Sequence, residues 1–329
     1  METVLSGIRP TGNLHLGNYF GALRNFIKMQ HEYNCYFFIA DWHSLTTHPA
    51  PGDLHGNVKT ILSEFLAAGI DPEKATLYIQ SDVPEIAELY LLLNMNAYVG
   101  ELERTVSFKE KIRKQPENIN AGLLTYPVLQ TADIIIHRAN KVPVGKDQEQ
   151  HLEMSRKFAQ RFNFIYKTEF FPMPEPFNYG QDLIKIPGLD GSGKMGKSDN
   201  NGIYLSEDTA SIRKKVMRAV TDTGPTAENQ EMSEPVKNLF TLLKVVSTAD
   251  TVKYFEEKYA SCEIRYGDLK KQLAEDIIAF TAPIKAKIDA ISADSTYLKK
   301  VAKIGAEKAR ESAASTLKEV RKIIGFKSF

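Results

Sequence analysis

Two short stretches carry residue types that could handle phosphate. The first is Pro10-Thr11-Gly12-Asn13-Leu14-His15-Leu16-Gly17-Asn18. It follows a short apolar run, Thr3 to Ser6, and precedes a helical pattern from about Leu16 to Gln30. At the carboxyl edge of a parallel sheet, such a strand-to-helix turn is where nucleotides bind. The amides that open the helix suit anionic oxygens. His15 and Asn18 can donate hydrogen bonds, and Gly17 would let a flat base approach the backbone closely. Taken alone, His15 reads equally well as a capping or satisfied surface histidine. The glycine spacing is not GxGxxG, so a dinucleotide site has no support.

The second stretch is Gly191-Ser192-Gly193-Lys194-Met195-Gly196-Lys197-Ser198. Read literally it matches GxxxxGK[ST], the phosphate loop of P-loop ATPases. That loop needs a strand before it and a helix directly after it. Here Pro187 interrupts the preceding apolar stretch, and Asp199-Asn200-Asn201-Gly202, which is turn chemistry, follows. What remains is a loop with two lysines, Lys194 and Lys197, and three glycines that predict unusual flexibility.

The elements that must position these loops alternate through the first half. Cys35 to Ala40 is a continuous apolar run ending in Asp41, as in a strand buried on both faces. Asn57 to Ala68 is helical, with Gly69 as its C-cap. Thr76 to Gln80 is the next strand and Pro84 to Met95 the next helix. This order predicts an α/β fold, a Rossmann-type doubly wound parallel sheet. After Ser206 helical patterns dominate, starting with Ala210 to Val220. Thr221 to Pro235 reads as a long loop, and Pro283 is expected near the start of a helix. The expected division is 1–206 catalytic, 207–290 helical, and 291–329 as terminal helices packing back on the catalytic part.

Bulk composition excludes several classes. The 329 residues suffice for two domains, and 43% hydrophobic with 25% charged residues is the balance of a globular protein. A net charge of +1 gives no global polycationic signal, so any nucleic-acid contact must be local. From Lys299 to Phe329 there are nine Lys/Arg against three Asp/Glu. That face is either simply solvated or a phosphate-contacting surface. The two cysteines, Cys35 and Cys262, form neither a CxxC pair nor a zinc spacing. Cys35 reads as a small buried thiol. Without an apolar run long enough for a membrane or a leader at the N-terminus, a cytoplasmic protein is expected.

Together the two loops resemble the HIGH and KMSKS elements of class I aminoacyl-tRNA synthetases. His15-Leu16-Gly17-Asn18 resembles the first and Lys194-Met195-Gly196-Lys197-Ser198 the second. Within that class the chain resembles the tryptophan-specific family over nearly its whole length. The N-terminal resemblance lies in residues 6–12 and 17–23, then Gly100-Glu101-Leu102-Glu103-Arg104 and Phe108-Lys109-Glu110-Lys111. It continues in Ala121 to Pro127, Ala132-Asp133-Ile134, Val142 to Gln148 and Ala219-Val220-Thr221-Asp222.

The resemblance implies a homodimer that uses ATP with Mg2+, L-tryptophan and tRNA(Trp), with no protein metal ligands, no DNA and no membrane, and an anticodon-binding helical domain. It implies that Lys194, Lys197 and Lys111 serve the phosphates. Arg9, Pro10, Thr11, His15, Gly17, Asn18, Gly145, Lys146, Asp147 and Ile186 would hold ATP, with Met195, Gly196 and Ser198 of the mobile loop. The amino-acid pocket maps to Asp133, Tyr126, Gln148, His43, Gln130, Val142 and Val144. Asp133 would accept the indole N–H, though alone it reads also as a helix-cap aspartate. His43 reads also as a satisfied histidine at a strand end. Three residues depart from the family pattern: Gly196 replaces a serine, Lys146 an acidic residue, and Gln130 a methionine common in bacterial members. Tyr126-x-x-x-Gln130-x-x-Asp133 also resembles the tyrosine-specific relatives, so a tyrosine enzyme, a P-loop-type ATPase and an inactive RNA-binding paralogue are the alternatives.

Overall fold

The computed structural model describes residues 1–145, 149–179, 185–197 and 199–327, with the backbone alone for 114 and 149–151. Five parallel strands form one sheet in the order β3-β2-β1-β4-β5. They are β1 (Thr3–Ile8), β2 (Asn34–Ile39), β3 (Thr76–Ile79), β4 (Lys141–Val142) and β5 (Glu175–Pro176). The central strands are apolar on both faces because helices cover both. Val4, Phe37 and Ile39 are fully buried, as a doubly covered parallel sheet requires. Cys35 is buried among them, and burial pushes its thiol up to about 12.

The chain leaves β1 in one direction toward β2 and β3, and later returns to its other side at β4 and β5. The order therefore reverses between β1 and β4. At such a switch point the loops after the two strands diverge and leave a crevice at their carboxyl ends. Residues 9–15 follow β1 and residues 143–145 follow β4, so the first phosphate-handling stretch borders that crevice.

The helix read from Asn57 begins earlier, spanning Pro51–Ala68 with Pro51 in its first turn. Proline fits there because that N–H has no intrahelical partner. Gly69, at φ 120, ends it as expected. The expectation for Pro283 is corrected. It lies inside one helix, Tyr266–Ala293. Proline removes one i→i−4 bond and crowds the carbonyl of Ala279, but buried Ile277, Thr281 and Ile288 hold both halves against the core.

The last helix, Ser295–Ile324, starts at Asp294, whose side chain accepts the Tyr297 amide. It lies against β3, with Gly305 on the strand itself: a Cβ there would stand 1.7 Å from the Leu77 carbonyl oxygen. Arg321 holds Glu88 with two bonds of 2.6 and 2.8 Å, and Arg310 reaches Glu85 at 3.3 Å. Part of the terminal positive charge is thus spent on packing. Among the described residues no helix is long and apolar enough to cross a membrane.

Candidate active site

A cavity of about 520 Å³ opens at the switch point. Its most buried polar group is Asp133, on the helix Ala121–Ile136. Asn120 caps that helix, so Asp133 is an interior residue and not a cap. Its Oδ2 lies 2.8 Å from His43 Nε2, and its Oδ1 accepts Gln80 Nε2 at 2.8 Å. His43 sits just past β2 and Gln80 just past β3, so two strand ends aim donors at one carboxylate. Burial raises the Asp133 pKa above the usual range, while the bonds from His43 and Gln80 pull it down. Each oxygen keeps a lone pair after these bonds. Val142, Val144 and Gln130 line the same cavity.

Two cations face the carboxylate's cavity from its other side. Lys111 Nζ stands 3.2 Å from the centre of the Tyr126 ring. Burial, then the nearby Arg9 charge, lowers its pKa to about 8. Arg9 is itself largely buried, its pKa is lowered by burial, and its Nε has no hydrogen-bond partner. Among the described residues neither cation forms an ion pair with an acidic group. Two partly desolvated positive charges without a counter-ion are costly unless an anion joins them. The Tyr126 hydroxyl donates to Ser107 Oγ.

The two phosphate-handling loops are laced together beside this cavity. Leu16 N donates to Ile203 O and Leu205 N to Leu14 O, both at 2.9 Å. His15 Nδ1 accepts the Asn18 amide at 3.2 Å, and Asn18 Oδ1 accepts the His15 amide at 3.1 Å. Burial, with Lys197 and Lys194 nearby, lowers the His15 pKa to about 4. His15 is therefore neutral at pH 7. With Nδ1 accepting, Nε2 carries the proton and is the donor expected of this residue. Gly17 is packed against the protein itself: a Cβ would meet His15 Nδ1 at 2.8 Å and Met195 Cβ at 3.4 Å. Lys197 Nζ donates to the Gly12 carbonyl at 2.6 Å, joining the second loop to the first.

The cavity thus gathers Arg9, His43, Lys111, Tyr126, Gln130 and Asp133, with Val142, Val144 and Gly145 at its rim. Pro10, Thr11, His15, Gly17 and Asn18 belong to the adjoining first loop. Lys194, Met195, Gly196 and Lys197 belong to the second. Ile186 is buried, and its carbonyl accepts the Met195 amide at 2.9 Å. Lys146, Asp147, Gln148 and Ser198 lie outside the described residues. The P-loop alternative fails on geometry. Residues 185–190 form no strand, and the next helix, Thr209–Met217, begins well beyond the loop.

The profile described as class I tRNA synthetases (W and Y) matches residues 2–282. A tryptophan–tRNA ligase of Porphyromonas gingivalis is 67% identical over 327 residues, covering 99% of this chain and 100% of that one. The chain belongs to the tryptophan–tRNA ligase family. A second member, from Clostridium tetani, is 43% identical over 99% of this chain and 96% of its own. Among solved structures, the Campylobacter jejuni tryptophanyl-tRNA synthetase complexed with ADP and tryptophan superposes with a TM-score of 0.88. It is 32% identical, covering 98% of this chain and 100% of that one.

Family membership leaves three residues that sequence reasoning missed. Gln80 is fully buried and accepts the Trp42 amide at 3.1 Å while donating to Asp133. Glu64 is fully buried, and its Oε2 accepts the Leu14 amide at 2.7 Å. Asn201 bonds the second loop from within. One weak signal was available for Gln80 and Glu64: each is a polar residue inside an otherwise apolar stretch, where burial demands a partner. Asn201, in a polar turn, carried none.

Proposed function

We propose that the chain activates L-tryptophan with ATP, releasing pyrophosphate, and then passes the aminoacyl group to tRNA(Trp). The observation that carries this is a cavity lined both by an anchored carboxylate, Asp133, and by the cations Arg9 and Lys111, neither of which pairs with an acidic group among the described residues. An indole offers one N–H donor and no acceptor, and Asp133 can accept it on a free lone pair. The cations suit the anions that meet in this reaction.

The tryptophan carboxylate is already ionised at pH 7, so activation needs no general base. An oxygen of that carboxylate attacks the α-phosphorus in line, and the bond to the bridging oxygen of pyrophosphate breaks. The protein must align the two and stabilise charge on the leaving group. Arg9 and Lys111 hold the phosphate side from the cavity. His15 Nε2–H, the Gly17 amide and the Asn18 side-chain NH2 donate from the first loop, and Lys194 and Lys197 bring charge from the second. Pro10, Thr11, Gly145, Lys146, Asp147, Ile186, Met195, Gly196 and Ser198 complete the ATP side. Tyr126, Gln148, Gln130 and His43 complete the amino-acid side, between walls formed by Val142 and Val144. Bound together with ATP, Mg2+ would supply neutralising charge to the phosphates. Among the described residues no group of three or more His, Cys, Asp or Glu side chains is placed to bind a metal.

In this reading residues 1–206 form the catalytic domain, 207–290 meet the anticodon, and the protein works in the cytoplasm as a homodimer. Exposed Leu91, Met95, Tyr98, Val99 and Val106 supply an apolar surface for a second copy. ATP–pyrophosphate exchange measured with L-tryptophan and with L-tyrosine is the test. Exchange dependent on tryptophan is expected; exchange driven equally by tyrosine, or by neither, overturns the proposal.

A further inference from the structure

The second loop carries three glycines, yet side chains hold its path, and one of them, Asn201, bonds it on both limbs. Asn201 is 5% exposed. Its Nδ2 lies 3.0 Å from Asp190 Oδ1, 2.9 Å from Ser192 Oγ and 3.2 Å from the Lys194 carbonyl oxygen. Its Oδ1 accepts the Gly196 amide at 2.8 Å. Three acceptors share the two N–H bonds of the nitrogen and one donor faces the oxygen, so only one orientation of the amide fits these contacts. The Asn201 carbonyl also accepts the Leu189 amide at 3.0 Å. One residue thus ties both limbs of the loop and contacts the backbone on either side of Met195.

The neighbouring residues are shaped to this contact. A Cβ on Gly188 would stand 2.2 Å from Asn201 Nδ2. A Cβ on Gly202 would meet Met195 Cγ at 3.0 Å, and Met195 itself is 1% exposed. Seating Met195 leaves Lys194 and Lys197 at its two sides, and Lys197 then reaches the Gly12 carbonyl. The flexibility expected from Gly191, Gly193 and Gly196 is therefore restrained at one point, between the two lysines.

We infer that Asn201 is a positioning residue for activation: its amide sets the register of residues 190–196 and so the places from which Lys194 and Lys197 reach the phosphates. The inference rests on the proposed role of those lysines, and the experiment separates the two.

Asn201→Asp keeps size but replaces the donating NH2 by an oxygen facing Asp190 and the Lys194 carbonyl. Tryptophan-dependent ATP–pyrophosphate exchange at saturating ATP should fall at least tenfold. The tryptophan dissociation constant, measured by equilibrium dialysis, should stay within twofold. Gly188→Ala presses on the same amide from the other side and should give the same split if Asn201→Asp is insoluble. Wild-type exchange in Asn201→Asp, an equal loss of tryptophan affinity, or insolubility of both single variants would each overturn the inference. Lys197→Ala is run alongside. If it exchanges at the wild-type rate, the lysine role itself fails; if it is slow while Asn201→Asp is normal, only the positioning role fails.

Discussion

Glu64 Oε2 accepts the Leu14 amide at 2.7 Å, so a buried carboxylate on the helix Pro51–Ala68 carries the loop that holds His15. Its Oε1 lies 3.5 Å from Ser206 Oγ, which accepts Asn13 Nδ2 at 2.6 Å. One acid therefore underlies both ends of the seam between the two loops. Burial raises its pKa from 4.5 to about 7, against the lowering effects of the Leu14 amide, Lys197 and Ser206.

The sign of its pH effect follows. A carboxyl whose folded pKa is raised keeps its proton longer in the folded chain than in the unfolded one. The stability it contributes is full below about 4.5 and is lost as pH rises through about 7. The loss is on the order of 3 kcal/mol for a shift of this size. Glu64→Gln keeps an acceptor for Leu14 and cannot ionise. Its urea midpoint should fall less than that of the wild type between about pH 5 and 8. Parallel profiles for the two proteins would show that Glu64 does not titrate in this range.

Lys197 donates to Gly12 O from a largely buried position, where burial lowers its pKa and Glu64 raises it. Lys197→Ala should slow adenylate formation while tryptophan binding survives, because the charge matters as pyrophosphate leaves. Removing one preorganised charge costs on the order of 3 kcal/mol in the barrier, about a hundredfold in rate. Stopped-flow activation at the wild-type rate would take Lys197 out of the chemistry.

Lys111 gives a pH signature of its own. Burial and Arg9 bring it to about 8 in the free protein. Only the protonated amine attracts phosphate, so kcat/KM for ATP should decline as pH rises through about 8, since that ratio reports free-enzyme pKa values. Lys111→Arg stays charged and should lose this alkaline limb whatever its absolute rate. A limb that persists in the arginine variant would belong to another group.

Three of the strands, 3–8, 34–39 and 76–79, were legible because each holds a short apolar stretch with turn residues beyond its ends. The short strands β4 and β5, of two residues each, carry no periodic pattern to read. Site residues lying within family motifs were legible as a set. Their partners were not: Gln80 meets Asp133 across 53 positions and Glu64 meets Leu14 across 50. Such bonds follow from which strand ends converge at the switch point, and local spacing does not encode that. Pro283 misled because local propensity marks proline as a helix start, whereas packing on both sides carries the helix Tyr266–Ala293 through it.

The terminal basic helix divides into charge spent on packing and charge left exposed, with Lys303 3.9 Å from Glu307 on the same helix. Arg310 and Arg321 pair with Glu85 and Glu88, and Lys308 reaches the Pro72 carbonyl at 3.2 Å. Lys299, Lys300 and Lys303 are exposed. Replacing these three by glutamine should raise the KM for tRNA and flatten its dependence on salt, by about one in the log–log slope for each phosphate no longer neutralised. An unchanged KM and slope would leave this face merely solvated. Replacing Arg321 should instead lower stability slightly, as expected of an exposed pair.

In the proposed reading, recognition of the indole turns on Asp133. Its two oxygens each hold one donor already, His43 Nε2 and Gln80 Nε2, both at 2.8 Å. A substrate N–H must use a remaining lone pair, and the two protein donors fix where that lone pair points. A tyrosine hydroxyl can also donate to it, so exclusion must come from the shape of the slot beside Val142 and Val144. Asp133→Ala removes the acceptor and strands two buried donors. It should cost roughly 2–4 kcal/mol of transition-state binding for tryptophan, as when a buried charged partner is deleted. Asp133→Asn is milder. Gln80 is fixed by the Trp42 amide at 3.1 Å, so the new amide must turn its oxygen to Gln80 and its NH2 to His43. The His43 tautomer with its proton on Nδ1 accepts that NH2 on Nε2. The substrate then loses charge assistance but keeps an acceptor, a cost of about 1–2 kcal/mol. Activation kinetics with both amino acids check the order wild type, Asp133→Asn, Asp133→Ala. A fully active Asp133→Ala enzyme would remove the residue from the pocket, and a wild-type kcat/KM for tyrosine equal to that for tryptophan would show that this slot does not discriminate.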